Sequence, residues 1–343
     1  MPLRSLIPIL LLCLSLPLQA KPLLRVLTWP GYADADLVAA FAERYGADVE
    51  VTLVGNDDEL RLKLSKDGGR HYDVIAANTS EINHFVQQQL LQPLRLAKLT
   101  QRNGQLQQFR QLNKIPGLMH EGQAYGVPYV YGEMGLIYNR KMMSRPPTSI
   151  NSLWDPQWQG QVLAYDGSSH SFSLARQALA KPPFATPNEE MPATLAKLIE
   201  LRRNVLSFYS LPEESVSLFT QNPVALMYAN YGRQQLKLLQ DAGADVGYVI
   251  PQEGAFAWLD CWAITRTTPN RDLAEQWINY SLEPQVSGAL TERQGLENTL
   301  RNPQTANAPL HLIWLEPVAN AELRAKLWQS ILAGERPSNL VQP

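Results

Sequence analysis

The chain of 343 residues is 45% apolar, 18% charged and 8% aromatic, enough for one or two globular cores, which excludes a disordered or fibrous chain. Its formal charge is −2, and −3 once Arg4 is set aside as the one charged residue of positions 1–20, so there is no polyanion-binding footprint and nucleic acid is not an expected partner. With only Cys13, in the apolar leader, and Cys261 beyond it, no intrachain disulfide and no cysteine-built zinc site is expected in the exported chain.

Residues 1–20 read as a secretory signal, with Arg4 as the positive end, Leu6 to Leu16 as the apolar run and Leu18-Gln19-Ala20 as a cleavage site before Lys21. An uncleaved anchor needs about 18–20 continuous apolar residues, and this run is broken by Pro8, Ser15 and Pro17. Leu24 to Thr28 predicts a strand, and Asp34 to Gly46 predicts a capped helix with Leu37, Phe41 and Tyr45 on one face. Val49, Val51 and Leu53 alternate as in a half-buried strand, a helix is expected near Asp58 to Ser65, and a third strand over Asp73 to Ala77. That order implies a parallel, doubly wound sheet.

From Tyr125 the apolar runs shorten and are broken by Gly and Pro, which marks a crossing into a second lobe through Gly126-Val127-Pro128-Tyr129 and a strand at Gly135 to Asn139. Further strands are expected at Leu163 to Tyr165, Val224 to Tyr228, Val246 to Ile250 and Phe256 to Ile264. Helices are expected near Leu174 to Ala180, Pro192 to Arg202, Arg271 to Leu282 and Ala321 to Leu332, the last presenting Leu323, Leu327 and Ile331. The fold class is α/β: two lobes of doubly wound sheet joined by crossing hinge strands, with a cleft between them.

Trp29-Pro30-Gly31-Tyr32 follows the first strand, at the carboxyl edge where open α/β sheets place ligands; interlobe packing is the alternative use of the two rings. In Phe256 to Trp262, strand periodicity puts Phe256, Trp258, Asp260 and Trp262 on one face and Leu259 and Cys261 on the other. An aspartate among large rings needs a cation, so the choice is between an ammonium site and an internal pair with Arg or Lys. Asn78-Thr79-Ser80 offers polar groups at the end of the third strand, and Tyr228, Asn230 and Tyr231 follow a later one. No nucleophile elbow, zinc helix, phosphate loop or dinucleotide fingerprint is present, and the five histidines are scattered, so no catalysis, metal or cofactor is expected.

In order along the chain, Val26-Leu27-Thr28-Trp29, Tyr72-Asp73-Val74-Ile75, Gly126-Val127-Pro128-Tyr129, Leu153-Trp154-Asp155-Pro156-Gln157-Trp158-Gln159-Gly160, Pro251-Gln252-Glu253-Gly254 and Trp258-Leu259-Asp260 resemble the periplasmic polyamine-binding proteins of ABC transporters. The resemblance implies a two-lobed, type II-like periplasmic-binding-protein fold, a small amine as ligand, a periplasmic location, and an ABC permease or a membrane sensor as partner, with a monomeric chain. It divides the chain into 21–127 with about 262–305 as lobe 1, and about 128–261 with about 306–343 as lobe 2. By resemblance the ligand site comprises Trp29, Tyr32, Asn78, Thr79, Ser80, Gly167, His170, Tyr228, Trp258 and Asp260, with Trp258 stacking and Asp260 binding the amine. Gly167 and His170 stand where the family carries acids and Leu296 where it carries a tyrosine, and only Asp166 or Glu133 offers a replacement acid; a ligand with fewer positive charges is therefore expected. A protonated His170 would weaken diamine binding as pH falls through about 6.5.

Overall fold

The computed structural model describes residues 21–301 and 311–335. The expected leader and the ends of the expected second lobe, 306–310 and 336–343, lie outside the described residues. The first unit runs β1 (Leu23–Thr28), α1 (Ala35–Tyr45), β2 (Asp48–Leu53), α2 (Asp57–Ser65), β3 (Val74–Asn78) and α3 (Thr79–Gln87). β1 pairs in parallel with both β2 and β3. β3 is buried along its whole length, as a central parallel strand must be, whereas β2 alternates toward solvent because it is an edge.

β4 (Val127–Asn139) is one 13-residue strand where the sequence suggests two pieces. Its register against β9 (Ala255–Thr265) skips Tyr129, with Asp260 opposite Val130 and Cys261 opposite Pro128. A bulge beside a proline, which has no N–H to give, interrupts the pattern without ending the strand. The chain between them forms β5 (Val162–Tyr165), α4 (Ser168–Ala178), α5 (Met191–Asn204), β6 (Val205–Tyr209), α6 (Pro212–Gln221), β7 (Leu226–Ala229), α7 (Arg233–Asp241) and β8 (Val246–Val249). After β9 come α8 (Arg271–Ser281), α9 (Pro284–Gln294), β10 (Leu312–Trp314) and α10 (Ala321–Leu332).

Among the described residues, the main sheet is continuous and 12-stranded, with the central order β2-β1-β3-β9-β4-β7-β5-β6. The two halves are therefore joined by hydrogen bonding through β9 and β4, which are antiparallel to each other. All of β9 is buried. Behind it Trp262 packs edge-on to Trp277 of α8 (5.8 Å between centroids), and Trp277 meets Phe41 of α1. α10 lies on α4 and α5, and its buried positions are Arg324, Leu327, Trp328 and Ile331, while Leu323 is 44% exposed. The buried stripe is thus rotated from the expected one, because Trp328 supplies far more apolar area than Leu323.

Candidate functional site

β1 ends in a tight turn in which Tyr32 N–H donates to the Trp29 carbonyl at 3.3 Å, with Pro30 second and Gly31 third at φ +84°. That is the residue order of a type II turn, and it aims both aromatic side chains at the carboxyl edge of the sheet. Trp29 and Tyr32 there line a cavity of about 350 Å³, mouth included, together with Trp258 and Asp260 from β9. Trp258 lies flat across Gly132, its register partner on β4: a Cβ at 132 would sit 2.7 Å from the indole. Its Nε1–H donates to the Asn230 carbonyl at 3.1 Å, which fixes the ring plane. Of the other rings on that face of β9, Phe256 packs on Phe184, and Trp262 packs on Tyr129 and Trp277 in the core.

Asp260 is 6% exposed. Its Oδ2 accepts a 2.6 Å hydrogen bond from the Tyr32 hydroxyl, and among the described residues no Arg, Lys or His pairs with it. The internal Arg or Lys pair is therefore not what the strand provides. Burial raises the Asp260 pKa to about 7, opposed by the Tyr32 hydrogen bond and assisted by the Asp57 charge.

Asp57 is a second acid on the cavity wall, and sequence reasoning missed it. It opens α2, beyond the carboxyl end of β2, behind the cap residue Asn56. The acidic run Asp57-Asp58-Glu59 at a strand's carboxyl edge was the available signal, but such runs are ordinary at helix starts. Asn78 Nδ2 donates to both Asp57 oxygens at 3.2 and 3.3 Å, and His170 Nε2 lies 3.7 Å away. Arg61, one turn on, is paired with Asp58 and Glu81. Burial raises the Asp57 pKa to about 6, with Arg61 opposing. His170 is pushed down to about 4 by burial, so it is neutral near pH 6.5 and the loss of diamine affinity that a protonated His170 would cause there does not arise from it.

The remaining expected site residues divide. Asn78 and His170 line the cavity. Asn78 also caps α3, its Oδ1 accepting from Glu81 N–H, so Thr79 and Ser80 are the first turn of a helix. Ser80 lines an adjoining recess and Thr79 a separate groove with Phe109 and Trp314. Gly167 precedes α4 and lies against the Tyr165 ring. Tyr228 does not reach the cavity: inside β7 it is 1% exposed and its hydroxyl meets Met134 Sδ at 3.3 Å. Asn230 and Tyr231, just past the end of β7, line the cavity instead, with Tyr165. The Asn230 Oδ1 and the Trp29 Nε1 are buried without hydrogen-bond partners among the described residues. Asp166 is bonded to Trp328 Nε1 and Glu133 to Arg233, so neither acid is offered to the cavity.

The cavity is closed by bonds between the halves. The Tyr165 hydroxyl donates to the Gly55 carbonyl at 2.7 Å, and the Tyr231 hydroxyl shares its one proton between that carbonyl at 3.0 Å and the nearer Ser210 carbonyl at 2.8 Å. Asp58 of α2 accepts from Ser168 N–H at 3.0 Å and its hydroxyl at 2.8 Å, capping α4 from across the cleft.

Comparison with known proteins places this arrangement. A family model described as bacterial extracellular solute-binding protein matches residues 36–308. The chain belongs to that family. This solute-binding protein is 24% identical over 315 residues to the spermidine/putrescine-binding periplasmic protein of Escherichia coli, covering 88% of this chain and 85% of the other. It is 21% identical over 278 residues to the norspermidine sensor of Vibrio cholerae, covering 80% and 74%. Among solved structures, the Tp0655 lipoprotein of Treponema pallidum superposes with a TM-score of 0.74 at 17% identity, over 90% of this chain and 99% of that one. The solute-binding protein thus has the two-lobed periplasmic-binding-protein fold.

Proposed function

We propose that this solute-binding protein captures a small aliphatic amine between its lobes in the periplasm and delivers it to an ABC permease. The observation that carries the reading is Asp260: a carboxylate 6% exposed, set among Trp29, Tyr32 and Trp258, with one hydroxyl and, among the described residues, no cation as partner. A buried ion of that kind is stabilised by a ligand ammonium, whose charge the carboxylate neutralises while the rings add cation–π attraction. The alkyl portion lies against the indoles, and the unpartnered Asn230 Oδ1 supplies one further acceptor. The reading needs no catalytic group and treats the chain as a monomer exported by residues 1–20.

On this reading 21–127 with about 262–305 forms one jaw and about 128–261 with about 306–343 the other, with β4 and β9 as the shared hinge. Titrating the mature protein with n-alkylamines while following tryptophan fluorescence tests it. A saturable change from Trp29 and Trp258 supports capture, and a flat response to all amines contradicts it. The likeness to a protein named a norspermidine sensor favours a second reading, in which the closed form engages a membrane receptor. Ligand-dependent co-purification with a membrane sensor in place of a permease would select that reading.

A further inference from the structure

Behind the amine cavity is a second opening, larger and differently lined. Neighbouring residues of a strand point to opposite faces, so Trp258 and Asp260 face the cavity while Leu259 between them faces a groove of about 920 Å³, mouth included, shared with Phe109 and Trp314. Tyr131, the register partner of Leu259 on β4, packs on Phe109 at 5.2 Å and on Trp314 at 6.4 Å between ring centroids. Trp314 ends β10, where its backbone is held by register with Ala257 and by the Leu315 N–H bond to the Ala257 carbonyl at 2.9 Å. Its side chain is nevertheless 45% exposed, the one aromatic among the large apolar residues left exposed in the described residues. Lys114 and Glu316 also line the groove, and among the described residues neither belongs to an ion pair.

We infer that this groove is a second small-molecule site, distinct from the amine cavity, and that its ligand class is an aromatic zwitterion of the size of an aromatic α-amino acid. A concavity of this volume, mainly apolar with a few polar groups and set between lobes, is the usual form of a ligand site. The ring of the ligand stacks on the exposed indole of Trp314 against Leu259 and Phe109, its carboxylate meets Lys114 and its ammonium meets Glu316. A ligand or polypeptide of one charge sign would meet one rim residue of its own sign, and a zwitterion meets neither that way. On the proposed division Phe109 and Lys114 belong to one jaw and Leu259, Trp314 and Glu316 to the other, so the groove spans the hinge from behind. Because cavity and groove lie on opposite sides of β9, a rotation that narrows the cavity widens the groove, and an occupied groove favours the closed form and raises amine affinity. That coupling rests on the amine reading; the groove site does not.

Calorimetry of the mature protein tests the site with L-phenylalanine, 3-phenylpropionate, which lacks the ammonium, and phenethylamine, which lacks the carboxylate, each variant being checked for native melting. Wild type should bind phenylalanine with a Kd below about 1 mM and each singly charged analogue about fivefold or more weakly. Trp314→Ala should weaken phenylalanine by about tenfold or more. Lys114→Gln should remove its advantage over phenethylamine, and Glu316→Gln its advantage over 3-phenylpropionate. Phenylalanine binding that survives Trp314→Ala and is lost in Asp260→Asn would place the ligand in the amine cavity and overturn the second site. No binding of any of the three ligands overturns it too, as does a sedimenting dimer of the wild type that Trp314→Ala dissolves, which would give the groove to a second copy of the chain. Equal affinity for all three ligands overturns the zwitterion. With phenylalanine saturating, n-butylamine should bind about fivefold more tightly. An unchanged butylamine affinity overturns the coupling and leaves the groove site standing, and if butylamine binds in neither condition the amine reading fails while the phenylalanine result stands.

Discussion

At neutral pH the empty protein holds Asp260 close to its titration midpoint, because burial opposes the charge that an ammonium would require. A carboxyl whose folded pKa is raised from 3.8 to about 7 contributes its full stability below about pH 4, and the contribution is lost as pH rises through 7. Asp260→Asn should therefore stabilise the ligand-free protein at pH 8, by an amount on the order of 2–4 kcal/mol, and raise its melting temperature by about 5 °C or more. The same variant should lose at least about 2 kcal/mol of amine binding. A melting temperature lowered by the substitution would show that the carboxylate has a structural partner. Binding needs the ionised carboxylates, so affinity should fall as pH drops from 7.5 to 5.5, by about tenfold or more, with protons released on binding near pH 6. The groups that set this window are Tyr32 and Asp57 around Asp260, and Arg61, Asp58, Asn78 and His170 around Asp57. Because His170 titrates near 4, His170→Gln should leave the profile between pH 6 and 7 in place, whereas Asp260→Asn should flatten its upper part. Opposite Trp258, Gly132→Ala puts a methyl 2.7 Å from the indole and should weaken amine binding by about tenfold through the displaced ring, read by fluorescence titration; undiminished affinity would show that the stacking position is not needed.

At the scale of elements, the cleft edge of α4 is capped by a residue of α2 in the other lobe. Asp58 bonds Ser168 N–H and Oγ without lining the cavity, so Asp58→Ala should weaken the closed form by roughly 1 kcal/mol and raise the amine Kd about fivefold. An unchanged Kd would mean that closure does not depend on this bond. The elements themselves were largely legible. β1, α1, β2 and β3 follow from apolar alternation and a glycine stop, and their order dictates the parallel sheet, whereas Asp34 precedes α1 without a side-chain cap hydrogen bond, its carboxylate being taken by Arg293 and Gln294. Trp29, Tyr32, Trp258 and Asp260 could be placed because strand ends and strand faces are local properties. What was not legible depends on packing between distant segments. Tyr228 and Tyr231 are three residues apart, and only the pairing of β7 with β4 and β5 decides that the first is core and the second reaches the cavity. Asp57 reads as a helix-start acid until β3 and α4 bring Asn78 and His170 to it. Asp166 and Glu133 looked available until Trp328 and Arg233 were seen to take them.

At the scale of the whole molecule, β9 both lines the cavity, through Trp258 and Asp260, and pairs with β4 to connect the two sheet halves, so on the proposed reading closing the cleft and completing the site are one event. The bonds from Tyr165 to Gly55 and from Ser168 to Asp58 hold the closed form. The two buried carboxylates oppose it until a cation arrives. Ligand should then raise the melting temperature in proportion to the logarithm of its concentration above Kd, more steeply at pH 8 than at pH 5.5, where protons already neutralise the acids. Equal stabilisation at both pH values would disconnect the carboxylates from binding. The most direct measurement of the central claim is a calorimetric titration of 1,4-diaminobutane into wild type and Asp260→Asn at pH 8. The account predicts one site per chain in wild type and an affinity lower by about 30-fold or more in a variant that melts at or above the wild-type temperature. Equal affinity in the two proteins would contradict it.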